Sequence, residues 1–429
     1  MMSTMRKLIL PLATAALLAA ASRPADITFR VKMIDPGATE TTAVVDINKD
    51  GLLDIVSGDS WYEAPSWKKH HLRDINFTSN YVDNFSDLIV DVDGDGYPDI
   101  VQFGYFSGNI VWLRNPGKTV ASPAVKEWVK TEIDASGPTE FAFLVDLNND
   151  GKALELLPEF DRANVPLAWF ELKDHKWVKH VVSKQSYGHG IGAGDINGDG
   201  RNDIITPKGW FEAPADPSSD AAEWTFHATD WDLPPAPAGR AGVMPVTPPT
   251  PPARTSFGYM YVLDINGDGR KDILTTAAHD YGIFWLEQGP AQAGKEPTWT
   301  RRTIDNSWSQ AHATELIDIN GDGQSDLVTG KRYMAHNGSD PGEKEPLGLY
   351  WYEYRKATGN GGVEWIRHLI DYGSRMGAGL QVRTVDIDGD GDLDVVAGGK
   401  SGVFIAENLT KMPKAQVAKT AAAKAAAPK

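Results

Sequence analysis

The sequence has no cysteine. That rules out disulfide staples, thiolate metal centres and a lipid anchor attached through a cysteine. It also has no apolar run of membrane-spanning length. The N-terminal run Leu8–Ala20 falls short of the ~20 residues a helical span needs. Positive charge is scarce: 42 Lys and Arg face 58 Asp and Glu, a formal net charge of −16. Such a surface is expected to repel nucleic acid, and the short apolar run predicts no membrane span. At 429 residues the chain exceeds what one simple core supports, so it must be several domains or one repeat array.

The ends are readable. Arg6 and Lys7 precede the apolar run, and three alanines precede Ser22. This predicts a secretory signal peptide over 1–21 and a periplasmic or extracellular location. Residues 411–429 are Ala/Lys/Pro low complexity without an aromatic group, which predicts a disordered tail. A proline-rich stretch near 233–254 reads as an extended insertion in a domain covering 22–410.

One acidic motif, D-x-[DN]-x-D-G-x-x-D, recurs seven times. Its oxygen-bearing positions one, three, five and nine are Asp46, Asn48, Asp50 and Asp54 in the first copy and Asp91, Asp93, Asp95 and Asp99 in the second. The third has Asp146, Asn148 and Asp150, but Leu154 stands at position nine and Glu155 comes one residue late. The next two are Asp195, Asn197, Asp199 and Asp203, then Asp264, Asn266, Asp268 and Asp272. The last two are Asp318, Asn320, Asp322 and Asp326, then Asp386, Asp388, Asp390 and Asp394.

Alternating apolar runs flank each copy, so the motif joins two strands of a hairpin. An aromatic third strand and a fourth that usually starts with tryptophan follow. The fourth strand is missing after the last copy, and "ITFRVKMID" (Ile27–Asp35) supplies it from the N-terminus. Seven of each element predict an all-β, seven-bladed β-propeller whose seventh blade is closed by the N-terminal strand.

Clustered carboxylates repel one another unless a cation joins them. Hard oxygen ligands in a glycine-containing loop describe Ca²⁺. Up to seven structural Ca²⁺ are expected, doing the work that disulfides do elsewhere. The EF-hand reading fails, because the loops lack a glutamate at position twelve and strands flank them.

The repeats resemble the FG-GAP/VCBS class of calcium-binding propellers, over nearly all of Ile27 to Asn408. "HGIGAGDINGDGRNDIITPKGWFEAP" and "QAHATELIDINGDGQSDLVTGKRYMAHNG" are more narrowly similar to the propeller of the aldos-2-ulose dehydratase/isomerase family. That resemblance implies elimination of water from keto-sugars such as 1,5-anhydrofructose.

In a propeller the acidic loops mark one face, and residues before first strands or after second strands mark the other. His70, His71, His180, His227 and His368 fall in outer strands and read as polar edge decoration. His189 and His312 precede first strands, whereas His279 and His336 follow second strands, so all four should face the central funnel. Lys208, Lys331, Arg332, Arg375, Lys400, Glu159, Asp161 and Asp280 share that face. Removing a proton next to a carbonyl needs a base, a cation for the enolate and an acid for the leaving group. His189, His336, His312, His279, Lys331 and Arg332 are the candidate catalytic set, and several of the histidines could hold a further divalent metal. The expected function is a carbohydrate lyase or dehydratase acting by β-elimination on a keto-sugar or uronic sugar. The alternative is a non-catalytic, lectin-like or adhesive propeller that binds a carbohydrate or a protein.

Overall fold

The second strand of every repeat opens with Asp or Glu and continues with mainly apolar residues, and in the computed structural model it is buried at every position. The model describes residues 26–135, 137–231, 256–290, 295–356 and 362–411. The expected signal peptide, the proline-rich insertion and, apart from Lys411, the C-terminal tail lie outside them.

Seven four-stranded antiparallel sheets form the blades of a β-propeller. Blade three shows the pattern: Thr139–Val145, Glu155–Phe160, Leu167–Lys173 and Lys176–Ser183, innermost strand first. Its second strand is buried at every position, as expected for a strand with a neighbouring blade on either face. Its fourth strand alternates between half-buried and exposed, because only one face meets protein. Blade seven is closed as expected. Phe29–Asp35 pairs antiparallel with Gly402–Asn408, from Phe29 opposite Asn408 to Asp35 opposite Val403. No helix among the described residues is long and apolar enough to cross a membrane.

The acidic loops have one internal design, shown here for the fourth. Asp195 Oδ1 accepts from the Gly198 and Asp199 amides (2.7 and 3.0 Å), and Oδ2 accepts from Gly200 (2.9 Å). Asn197 Oδ1 accepts from Asp199 N–H (2.9 Å) and Asp199 Oδ1 from Arg201 N–H (2.9 Å). Gly198 and Gly200 both have left-handed φ (81° and 86°), which a side chain would strain. Position nine is different. Asp203 is buried and ties the hairpin to the third strand, accepting from Ile196 N–H (3.1 Å) and Ala213 N–H (2.9 Å). In the third loop Glu155, one residue late, makes only the loop half of this tie, its longer side chain accepting from Leu147 N–H (3.1 Å) and Asn148 Nδ2 (3.1 Å).

Four of the five outer-strand histidines, all but His71, have a more specific job than decoration. In four blades a third-strand tryptophan stacks on a fourth-strand histidine: Trp61 on His70, Trp169 on His180, Trp210 on His227 and Trp351 on His368, with centroids 4.0–4.3 Å apart. Each histidine Nε2 also meets the glutamate two residues after that tryptophan, at 2.8–3.1 Å. Blade five keeps the arrangement with Arg302, whose Nε donates to Glu287 at 2.7 Å.

Candidate functional site: a histidine cluster in the funnel

Each inner strand is entered from the funnel side, and a fixed offset selects what it presents there. Six residues before position one of successive acidic loops stand Glu40, Phe85, Glu140, His189, Gly258, His312 and Leu380. This ring is asymmetric: two histidines and two glutamates sit among apolar residues. His279 joins it from the turn after the second strand of blade five.

The geometry is convergent. One ligand atom each from Glu140, His189, His279 and His312 lies within 4.8 Å of all the others. His189 Nε2 is 2.9 Å from His279 Nε2 and 3.2 Å from Glu140 Oε2. His312 Nε2 is buried without a hydrogen-bond partner, 3.9 Å from Glu140 Oε1. Each imidazole is held from behind through Nδ1. His189 bonds Phe257 O (2.8 Å), His279 bonds Asp340 Oδ2 (2.8 Å) and His312 leans on Gln310 O (3.4 Å). With Nδ1 as the donor, each neutral ring presents its lone pair at Nε2.

Two further features support the cluster. Gln310 adopts a left-handed φ of 71°, uncommon outside glycine, and its carbonyl also accepts from the Arg332 amide (2.9 Å) and the His312 amide (3.1 Å). Such strain persists only where its surroundings enforce it. Beneath the histidines the buried Arg332 donates through Nε to Glu40 (3.0 Å) and through Nη1 to Glu140 (2.7 Å).

Residues 91–155, 264–329 and 318–397 match the FG-GAP-like repeat family. The seven four-stranded blades agree with it. The chain is an FG-GAP-repeat β-propeller. Among solved structures, the FG-GAP propeller is similar to an Agrocybe aegerita lectin described as recognising non-reducing terminal N-acetylglucosamine. Identity there is 14%, covering 90% of this chain and 94% of that one, with a TM-score of 0.42. It is also similar to BBS1N in complex with ARL6DN (11% identity, 89% and 96% covered, TM-score 0.48). A third is the V. cholerae biofilm matrix protein Bap1 (12% identity, 89% and 84% covered, TM-score 0.37). No curated protein matches the sequence.

The FG-GAP propeller thus brings His189, His279 and His312 together and sets the other candidates around them. His336 is one step out, stacked parallel on His279 (4.2 Å), with Nδ1 on the same Asp340 oxygen (2.9 Å) and its side chain 47% exposed at the mouth. Arg332 is the buried floor. Lys331 turns aside to Ser309 Oγ (2.9 Å) and O (3.3 Å). Facing the histidines, Tyr81, Phe85, Tyr105 and Phe106 form an aromatic wall with Phe106 40% exposed. Tyr81 reaches across the mouth from the hairpin Phe77–Thr78 and Tyr81–Val82, donating to the carbonyl of Ala335 in the long turn of blade six.

The electrostatics of the FG-GAP propeller are set by burial and by crowding. Burial disfavours charge on His189, but the Glu140 carboxylate overrides it and holds the imidazole up to about 9. Burial and the neighbouring His189 charge push His279 down to about 4. Burial and then Arg332 hold His312 well below the usual range. Asp340 would be raised by burial, but hydrogen bonds from His279 and His336 hold it far below the carboxylate range. Burial lowers Lys331 to about 8. Without a metal, one proton on His189 therefore lies between His189, His279 and Glu140.

Sequence reasoning missed Glu140 and Asp340. Glu140 was findable, since it has the same offset from its loop as His189 and His312. Asp340 lies in a long turn with no repeat phase, so no spacing marks it.

Proposed function

We propose that this propeller is a metal-dependent carbon–oxygen lyase acting on a keto-sugar or uronic sugar in its funnel. The observation that carries this reading is the convergence of three Nε2 atoms and one carboxylate, each imidazole fixed by an acceptor at Nδ1. Glu140, His189, His279 and His312 would hold a divalent transition metal, and the unpartnered, buried His312 Nε2 fits that donor set. A metal bound there supplies Lewis-acid polarisation of a carbonyl or carboxylate oxygen. The rest falls to this chain's own groups. Asp340 fixes His336 through Nδ1, leaving Nε2 at the mouth as the atom that accepts the α-proton. The same imidazolium can return that proton to the departing hydroxyl as water leaves. The aromatic wall of Tyr81, Phe85, Tyr105 and Phe106 offers a sugar ring an apolar face and excludes water.

The acidic loops belong to this proposal as up to seven structural Ca²⁺ sites. Ligand atoms of Asp91, Asp93 and Asp99, and of Asp386, Asp388 and Asp394, are close enough to share an ion. Buried oxygens of Asp326 and Asp390 lack any partner. Export through the expected 1–21 signal would bring the chain to a compartment that supplies this calcium.

The test is elemental analysis of the purified protein, followed by incubation with 1,5-anhydrofructose and polyuronates. Ultraviolet absorbance of an enone or unsaturated uronide is expected. The aromatic wall taken alone favours a second reading, a non-catalytic carbohydrate-binding propeller. Sugar binding without turnover in the metal-loaded protein would select it.

A further inference from the structure

A second ring of side chains lies three residues further along the same inner strands, about 10 Å nearer the acidic loops. Three residues before position one stand Phe143, Tyr261, Glu315 and Arg383, with Ala43, Leu88 and Gly192 completing the ring. All of these except Gly192 border a cavity of about 400 Å³ on the propeller axis, and none of the funnel histidines lines it. Its size is that of a small-molecule site, and so is its lining of apolar and aromatic walls with a few polar groups.

Two walls differ in chemistry. Phe143, Tyr259 and Tyr261 form a continuous aromatic surface, with centroids 4.1 Å apart for Phe143–Tyr259 and 4.5 Å for Tyr259–Tyr261. Tyr261 is anchored by its hydroxyl on Thr314 O (3.0 Å). Arg383 and Glu315 line the cavity too. Of five guanidinium donors, Arg383 commits Nη1 to Val382 O (2.9 Å), and among the described residues no carboxylate lies within salt-bridge distance of it. Glu315 keeps one oxygen on the Thr384 amide (2.5 Å), and burial raises its pKa.

We infer that this cavity is a second ligand site, separate from the funnel, for a hydroxylated ring carboxylate of the sugar-acid class. The Arg383 fork takes the carboxylate, the aromatic surface stacks on the ring, and the remaining Glu315 oxygen accepts a hydroxyl. The pairing is specific to this cavity, because only blades six and seven place charged residues at this offset.

The experiment is calorimetric titration of sodium galacturonate and of neutral galactose into the calcium-loaded full-length protein. Galacturonate should bind at least tenfold more tightly than galactose. Arg383→Gln should weaken it roughly 10- to 100-fold, the range for losing charged hydrogen bonds. Arg383→Lys, which keeps the charge and the fold but not the fork, should fall between the two and carries the test if Arg383→Gln unfolds. His312→Ala, which disrupts the funnel, should leave the affinity unchanged. The inference is overturned if wild-type protein gives no galacturonate binding at millimolar concentration, or if Arg383→Gln and Arg383→Lys bind like wild type. Loss of binding in folded His312→Ala would also overturn it, by placing the ligand in the funnel.

Discussion

At the residue scale, the proposed funnel site sets one proton against one metal ion. The proton that Glu140 holds on His189 must leave before Nε2 can coordinate. His279 and His312 stay neutral over the physiological range and add no such cost. Metal affinity should therefore climb about tenfold per pH unit and flatten near pH 9, with one proton released per ion. Competition titrations across pH 6 to 10 check this; a flat profile would remove His189 from the ligand set. Asp340 acts behind His279, so Asp340→Asn should weaken metal binding by roughly 10- to 100-fold. It should also lower kcat through the misplaced His336, and both effects are measurable with added zinc or manganese. The histidines were legible because they break from the outer-strand positions of His70, His71, His180, His227 and His368. Glu140 was hidden in plain repeat phase, and Asp340 had no phase to show.

At the element scale, each acidic hairpin is a charge trap whose burial sets its pH response. In the metal-free protein, burial together with nearby loop carboxylates raises Asp203, Asp326 and Asp394 to about 7, and Asp54, Asp99 and Asp272 to about 6. A carboxyl raised above its unfolded value of 3.8 favours the folded state when protonated, and this contribution disappears as pH rises through 6 to 7. His189 acts in the same sense, since an imidazole raised to about 9 loses its contribution above its unfolded value of 6.5. Chelated protein should thus melt at a higher temperature at pH 5 than at pH 8. Calcium should remove or reverse the difference, because it takes the place of the protons. Calorimetry with and without chelator decides it. The hairpins and the blade count could be read from period-two alternation and turn residues. The Trp–His–Glu stacks could not, because their partners lie on different strands and only pairing register brings them together. His368→Ala would leave Glu353 buried with a lost partner, costing about 1–3 kcal/mol, a drop visible in the melting midpoint.

At the scale of the whole molecule, the ring depends on one strand pair. Phe29–Asp35 and Gly402–Asn408 come from opposite ends of the described chain, yet they lie side by side in blade seven. A chain lacking residues 1–35 should expose the edge of Gly402–Asn408 and associate through it, which light scattering would detect. The same pair sets a timetable. The first of the described strands to be made is among the last to find its place, since its partner is made some 370 residues later. Until then six blades can form locally while the first segment waits as an extended strand with unpaired amides and alternating apolar side chains. The interval between its synthesis and its pairing is when this protein is most exposed to aggregation and to any chaperone that binds extended chain.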